Sequence, residues 1–240
     1  MATLYERANM LEEAKNDAVL QHFLVKKCQK DIVFWFEWFC YTFNPRVTPA
    51  HLPFNPYPFQ IQTIKVLERC IREGEPLIIE KSRDMGLSWL VLLVFQWFWL
   101  FEDGADFLCG SRKQDDVDKK GDRSALFEKF RYNLRMQPDW ICPKLTYQND
   151  NYLKITHPHT GNILKGESAT ADFGRSQRFK AVLMDEVARH PYGDYAYASV
   201  SQSSNCIILL FTPFGQANIA YRMRQHPDVE WVDIGGGEYA

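Results

Sequence analysis

Between Lys81 and Ser88 the chain reads Lys-Ser-Arg-Asp-Met-Gly-Leu-Ser, after the apolar run Leu77-Ile78-Ile79 and before a long apolar segment. Strand, tight turn and helix in that order are the setting of a phosphate-binding loop. Unpaired backbone N–H groups and the helix dipole give a helix start partial positive charge, which attracts phosphate oxygens. Gly86 lets the backbone approach with no side chain in the way. The Ser88 hydroxyl suits Mg²⁺. Against the pattern G-x-x-x-x-G-K-[ST], Gly86 and Ser88 match, but Lys81 stands at the first glycine and Leu87 at the lysine. That lysine normally reaches the β- and γ-phosphates, so its charge must come from elsewhere. Lys81 and Arg83 are both placed to supply it, and the sequence does not decide between them. The plainer alternative is a surface turn with two basic residues.

A second piece of chemistry lies about 100 residues downstream, where Ala181-Val182-Leu183-Met184 runs into Asp185-Glu186. At the end of a buried strand, Asp185 would hold Mg²⁺ and Glu186 would orient and deprotonate a water. Acids often begin loops, so the pair alone is weak. Downstream of a phosphate loop it gains weight, because ligands of open α/β sheets collect at the carboxyl ends of the strands. Thr212 follows the apolar run Cys206 to Phe211 and falls at the same edge. It would sense the terminal phosphate or the water; by itself it reads as a Thr-Pro turn. His157 and His159 have a spacing a metal pair could use, but without further ligands nearby they read as a hairpin tip.

Elements must hold these residues in place. Residues 4–29 mix apolar and charged positions at helical spacing and predict one or two amphipathic helices. The aromatic block Phe34, Trp35, Phe36, Trp38, Phe39, Tyr41 and Phe43 reads as core, with a base-stacking platform as the alternative. Five prolines over 44–59 predict an extended connection. A helix follows over about 60–73, with Ile61, Ile64, Leu67 and Ile71 on one face. Asp106 to Gly110 reads as a strand, Asp115 to Gln137 as a charged, exposed helix, and Tyr152–Thr156 with Asn162–Lys165 as a hairpin. Val229 to Ile234 is a further candidate strand. Apolar strands alternating with helices predict an α/β fold with a mostly parallel sheet covered on both faces.

The 240 residues allow one large domain, or one domain with an appendage. A net charge of −2 gives no overall basic field, so any nucleic-acid contact must be local or come from elsewhere. Arg112-Lys113 and Lys119-Lys120 read as a solvated helix face, with a DNA track as the alternative. Six cysteines without a C-x-x-C pair argue reduced thiols in a cytoplasm. No signal peptide is visible. The apolar segment Leu87 to Phe101 is shorter than the roughly 20 residues a membrane span needs.

In order and spacing these motifs resemble the ATPase domain of the large subunit of a tailed-bacteriophage terminase, a DNA-packaging motor. The resemblance runs from about Thr42 to Tyr221. Lys81-Ser82-Arg83-x-x-Gly86-x-Ser88 is similar to the family's deviant phosphate loop, and Val182 to Glu186 to its second motif. Thr212-Pro213-Phe214-Gly215-Gln216-Ala217-Asn218 matches its coupling string. Tyr57-Pro58-Phe59-Gln60 resembles the adenine-contacting segment, and Gly174-Arg175 a segment that gives an arginine to the neighbouring subunit.

The resemblance implies an ASCE-type P-loop NTPase with an N-terminal helical extension. It implies ATP and Mg²⁺, held by Gln60, the loop residues Lys81, Ser82, Arg83, Asp84, Met85, Gly86, Leu87 and Ser88, and Thr212 and Asn218. Ser88 and Asp185 would be the metal ligands; Glu186, Arg83 and Arg175 would be catalytic. Implied partners are double-stranded DNA, the portal protein and procapsid, the terminase small subunit and further copies in a ring. The place would be the portal vertex in the host cytoplasm, with no membrane. The expected division is an extension over 1–55, a core over 56–215, and the start of a linker over 216–240 with no nuclease domain after it. Rival readings are a helicase or translocase of the wider P-loop class, and a nucleotide-independent DNA-binding or assembly module whose loop has decayed.

Overall fold

The computed structural model describes residues 2–83, 85–175, 177–226 and 229–234. Helices α1 (Leu4–Ala14), α2 (Ala18–Lys30) and α3 (Ile32–Phe39) open the chain. Thr3 and Glu6 form a reciprocal capping box on α1, and Asp17 and Asp31 accept the first N–H groups of α2 and α3. Strands β1 (Tyr41–Phe43) and β2 (His51–Pro53) pair antiparallel. Then come α4 (Pro58–Glu73), β3 (Leu77–Lys81), α5 (Leu87–Phe101), β4 (Phe107–Ser111), the single turn α6 (Gln114–Val117) and α7 (Leu126–Met136). Strands β5 (Asp150–Asn151), β6 (Lys154–Thr156), β7 (Ile163–Ser168) and β8 (Ala181–Asp185) follow. A 3-10 turn (Val187–Arg189), α8 (Gly193–Val200), β9 (Ile207–Phe211), α9 (Ile219–Arg224) and β10 (Glu230–Ile234) complete the order.

Among the described residues the main sheet has eight strands in the order β10-β3-β9-β8-β4-β7-β6-β5. From β10 to β7 every pairing is parallel; β6 and β5 add an antiparallel edge. The strand that leads into the loop and the strand that ends in the acids are thus separated by one strand, β9. Register does the rest. Ile79 lies opposite Leu210, and Leu210 opposite Asp185. Lys81 ends β3 and Thr212 directly follows β9, each two residues past that row, so all three chemical groups reach one edge of the sheet. The expected α/β fold, a mostly parallel sheet flanked by helices, is the observed one.

Helix α5 is apolar on all sides because it is covered on all sides. From Leu90 to Leu100 every residue is buried, between the sheet and α3, α4 and α7. Such a helix needs its few polar groups paired. Gln96 donates to the Phe130 carbonyl at 3.1 Å and accepts from Asn133 at 2.6 Å. Trp97 donates its indole N–H to the Cys28 carbonyl at 2.8 Å, which ties α5 to α2. Trp35, Phe36 and Phe39 are at most 1% exposed and lie in the same core cluster. The helical part of the aromatic block, Phe34 to Phe39, packs in or against the core, while Tyr41 and Phe43 lie half-buried in β1 and Phe43 lines a cleft. All six cysteines are buried and free.

Two readings of the elements need correction. The prolines over 44–59 do not make a plain connection, since β2 folds back on β1. Residues 115–137 are not one exposed helix. The chain leaves α6 at Asp118, turns through Gly121 at φ 83°, and restarts as α7, with Phe127, Phe130 and Leu134 in the core. The break is held by a buried fork, in which Arg131 donates to both oxygens of Asp118 at 2.6 and 2.9 Å. The candidate strand over Val229 to Ile234 is β10, which pairs parallel with β3 at the edge of the core sheet. The turn between β6 and β7 is as expected. His157 Nδ1 there accepts the N–H groups of His159 and Thr160 at 3.2 and 3.1 Å. Burial pushes its pKa down to about 4. No metal-binding cluster among the described residues includes it. No described helix is long and apolar enough to cross a membrane.

Candidate functional site

At the end of β3 the chain leaves the sheet, and Gly86 begins α5 with φ 70°, ψ 9°. A side chain disfavours that left-handed backbone, and a Cβ there would also lie 3.4 Å from Gln60 Nε2. Gln60 holds the turn from the other side. Its Nε2 donates to the Met85 carbonyl at 3.0 Å, and its Oε1 accepts the Tyr57 N–H at 3.0 Å. Leu87 is 1% exposed and belongs to the core. The loop position where a lysine is usual is thereby given to packing.

Lys81 carries charge into the site from the strand instead. It is 8% exposed, and its Nζ donates to Glu186 Oε1 at 2.9 Å and to Thr212 Oγ1 at 3.4 Å. Arg83 is exposed at the rim. Ser88, in the first turn of α5, donates to Asp185 Oδ1 at 3.2 Å. A hydroxyl and a carboxylate this close are a hard-oxygen donor set that fits Mg²⁺. Asp185 is 8% exposed. Burial raises its pKa, Glu186 adds to the rise, and Lys129, Lys81 and the Ser88 hydrogen bond oppose it. Glu186 sits at φ 53°, ψ 36°, a left-handed conformation uncommon outside glycine. His190 donates from Nε2 to the Asp185 carbonyl at 2.8 Å and so anchors this strand end.

A cleft of about 690 Å³ opens over these groups. Among the described residues its charged lining is Arg46, Lys81, Arg83 and Lys129 against Glu186, four cations to one carboxylate. In a chain of net charge −2, that concentration suits a multiply charged anion. Phe43, Pro45, Leu52, Phe54 and Tyr57 add apolar side chains to the lining, beside the polar Thr42 and Asn44. The fit to a nucleoside triphosphate is good in three respects: a helix N-terminus with a left-handed glycine, an excess of cations among the described lining residues, and apolar side chains beside them.

The structure therefore brings Gln60, Lys81, Arg83, Met85, Gly86, Leu87, Ser88 and Glu186 to one cleft, with Asp185 behind Ser88 and Thr212 on Lys81. Ser82 lies in the same turn, partly buried. Asp84 lies outside the described residues. Asn218 and Arg175 are not in the lining. Asn218 caps α9, accepting the Tyr221 N–H at 3.1 Å and donating to the carbonyls of Phe214 and Gly215 at 2.9 and 3.1 Å. Arg175 is 63% exposed and pairs with Asp172 at 2.7 Å. Sequence reasoning missed Lys129, His190 and the β1–β2 part of the lining. Lys129 was hidden in an apparently solvated helix, and the β1–β2 part in a proline-rich stretch.

No protein-family profile matches the sequence, and no curated protein matches it. Solved structures do match. The large terminase of bacteriophage HK97 superposes with a TM-score of 0.62 at 13% identity, over 88% of this chain and 45% of that one. A large terminase from a thermophilic bacteriophage, in complex with ADP, gives 0.54 at 14% identity, over 75% and 45%. The ATPase domain of the Thermus phage P74-26 large terminase gives 0.50 at 14% identity, over 75% and 81%. The chain thus spans less than half the length of the first two. At these identities the likeness concerns architecture: this chain has the fold of the ATPase domain of phage large terminases.

Proposed function

We propose that the chain is an Mg²⁺-dependent ATPase, the motor domain of a terminase that drives double-stranded DNA into a procapsid. The observation that carries this reading is the meeting of Lys81, Ser88, Asp185 and Glu186 at one strand edge, under a cation-rich cleft. Fold supports it: one of the similar large terminases was crystallised with ADP and another structure is of a terminase ATPase domain. Loop amides after Gly86 would bind phosphate oxygens, and Ser88 with Asp185 would hold the metal. Bound Mg²⁺ would neutralise charge on the β- and γ-phosphates. Lys81 holds Glu186 in the nucleotide-free chain; a bound triphosphate would compete for that ammonium. Glu186 would then accept a proton from the water that attacks the γ-phosphorus, with ADP leaving.

Arg175 has the exposure that an arginine offered to a neighbouring subunit requires. Thr212 touches Lys81, and Asn218 stiffens the loop after it, so this string would pass the phosphate state to residues beyond 215. The ring of copies, the portal, the small subunit and the portal-vertex location belong to the same proposal. Glu186→Gln is the test: nucleotide binding should persist while steady-state hydrolysis falls by about 100-fold or more, the span expected of a general base. Hydrolysis at the wild-type rate would remove Glu186 from that role. A wild-type chain that binds no nucleotide would instead be an assembly module, as Leu87 alone suggests.

A further inference from the structure

Lys129 lines the cleft from α7, outside every motif discussed above. Its setting is unfavourable for a cation in three ways. It stands just past the first turn of α7, close to the positive end of that helix dipole. It is confined enough that burial holds its pKa below the ordinary lysine range. It feels Lys81, a like charge, although Asp185, Asp122 and Asp116 favour its charged form and offset part of these costs. Its described hydrogen bond goes to the Ser124 carbonyl, one of the three an ammonium can donate. A lysine in that position, in a cleft already rich in cations, is fitted to a ligand of high negative charge.

Direction follows from topology. Gln60 and Tyr57 line the cleft from the α4 side, while α7 follows β4, the neighbour of β8 on the side away from β3. Lys129 therefore enters beside the metal-holding acid, where the last phosphate of a nucleotide would lie. We infer that Lys129 binds the terminal phosphate of a bound nucleoside triphosphate and supplies, from a separate helix, charge that Leu87 leaves out of the loop. The inference rests on the nucleotide reading above and adds a residue that reads triphosphate against diphosphate.

The test is titration of the full chain with Mg²⁺ and either ADP or a non-hydrolysable ATP analogue. A hydrogen bond to a charged group corresponds to about tenfold or more in affinity. Lys129→Gln should weaken the analogue by at least about tenfold and ADP by less than about threefold, and Lys129→Arg should recover most of the loss. Retained ADP binding reports an intact fold; should Lys129→Gln not fold, Lys129→Met is read in the same way. An analogue affinity within about threefold of wild type, or equal weakening of ADP and analogue, overturns the inference. A wild-type chain that binds neither nucleotide overturns the nucleotide reading itself.

Discussion

Asp185 and Glu186 are adjacent in the chain and held in opposite ways. Glu186 is fixed by Lys81 and by a backbone conformation that costs on the order of 1–3 kcal/mol elsewhere in proteins. Asp185 is fixed by burial, which raises its pKa. A carboxyl whose folded pKa lies above its unfolded value contributes stability below the unfolded pKa and loses it as pH rises through the folded one. At neutral pH the charge on Asp185 therefore opposes folding of the nucleotide-free chain. Asp185→Asn should raise its Tm by a few degrees at pH 7, with the gain disappearing near pH 4, and should abolish stabilisation by Mg²⁺ with nucleotide. Thermal melts at the two pH values check this; an unchanged or lower Tm at pH 7 contradicts it. These two acids were legible in the sequence because an apolar run ending in acids fixes both position and chemistry. Lys129 and His190 were not, because their surroundings exist only once α7 is packed on α5 and the 3-10 turn against β9.

At the scale of elements, the break between α6 and α7 is the clearest case of tertiary structure overruling a local pattern. Charged residues over 115–137 look like one solvated helix. The buried fork from Arg131 to Asp118, with the Leu153 N–H donating to Asp118 at 2.7 Å, instead turns the chain and seats α7 on α5. Removing one partner leaves a buried charge and a buried N–H unsatisfied, so Asp118→Ala should cost about 3 kcal/mol or more in urea unfolding. A loss below about 1 kcal/mol would mean that Asp150, 2.7 Å from Arg131, can take over. Strands β3, β8 and β9 were readable because strands buried on both faces are continuous apolar runs. The β1–β2 pair and β5 were not, being too short to show a period.

At the scale of the whole molecule, the N-terminal helices and the sheet share one core: Ala14, Leu24, Cys28 and Trp35 lie in the cluster that holds α5 and one face of the sheet. That core carries the strand edge on which the cleft is built, so the site depends on contacts spanning the chain from Phe43 to Glu186. Charge has the same logic. The chain is slightly acidic overall, yet its cleft is strongly cationic, which composition could not reveal. The proposed chemistry requires this cleft to bind a metal–nucleoside triphosphate through Ser88 and Asp185. Calorimetric titration of the wild-type chain with a non-hydrolysable ATP analogue, with Mg²⁺ and then with EDTA, tests it most directly. One site per chain is expected with Mg²⁺, weakened about tenfold or more by EDTA or by Ser88→Ala. Absence of binding, or binding indifferent to both Mg²⁺ and the Ser88 hydroxyl, would contradict it.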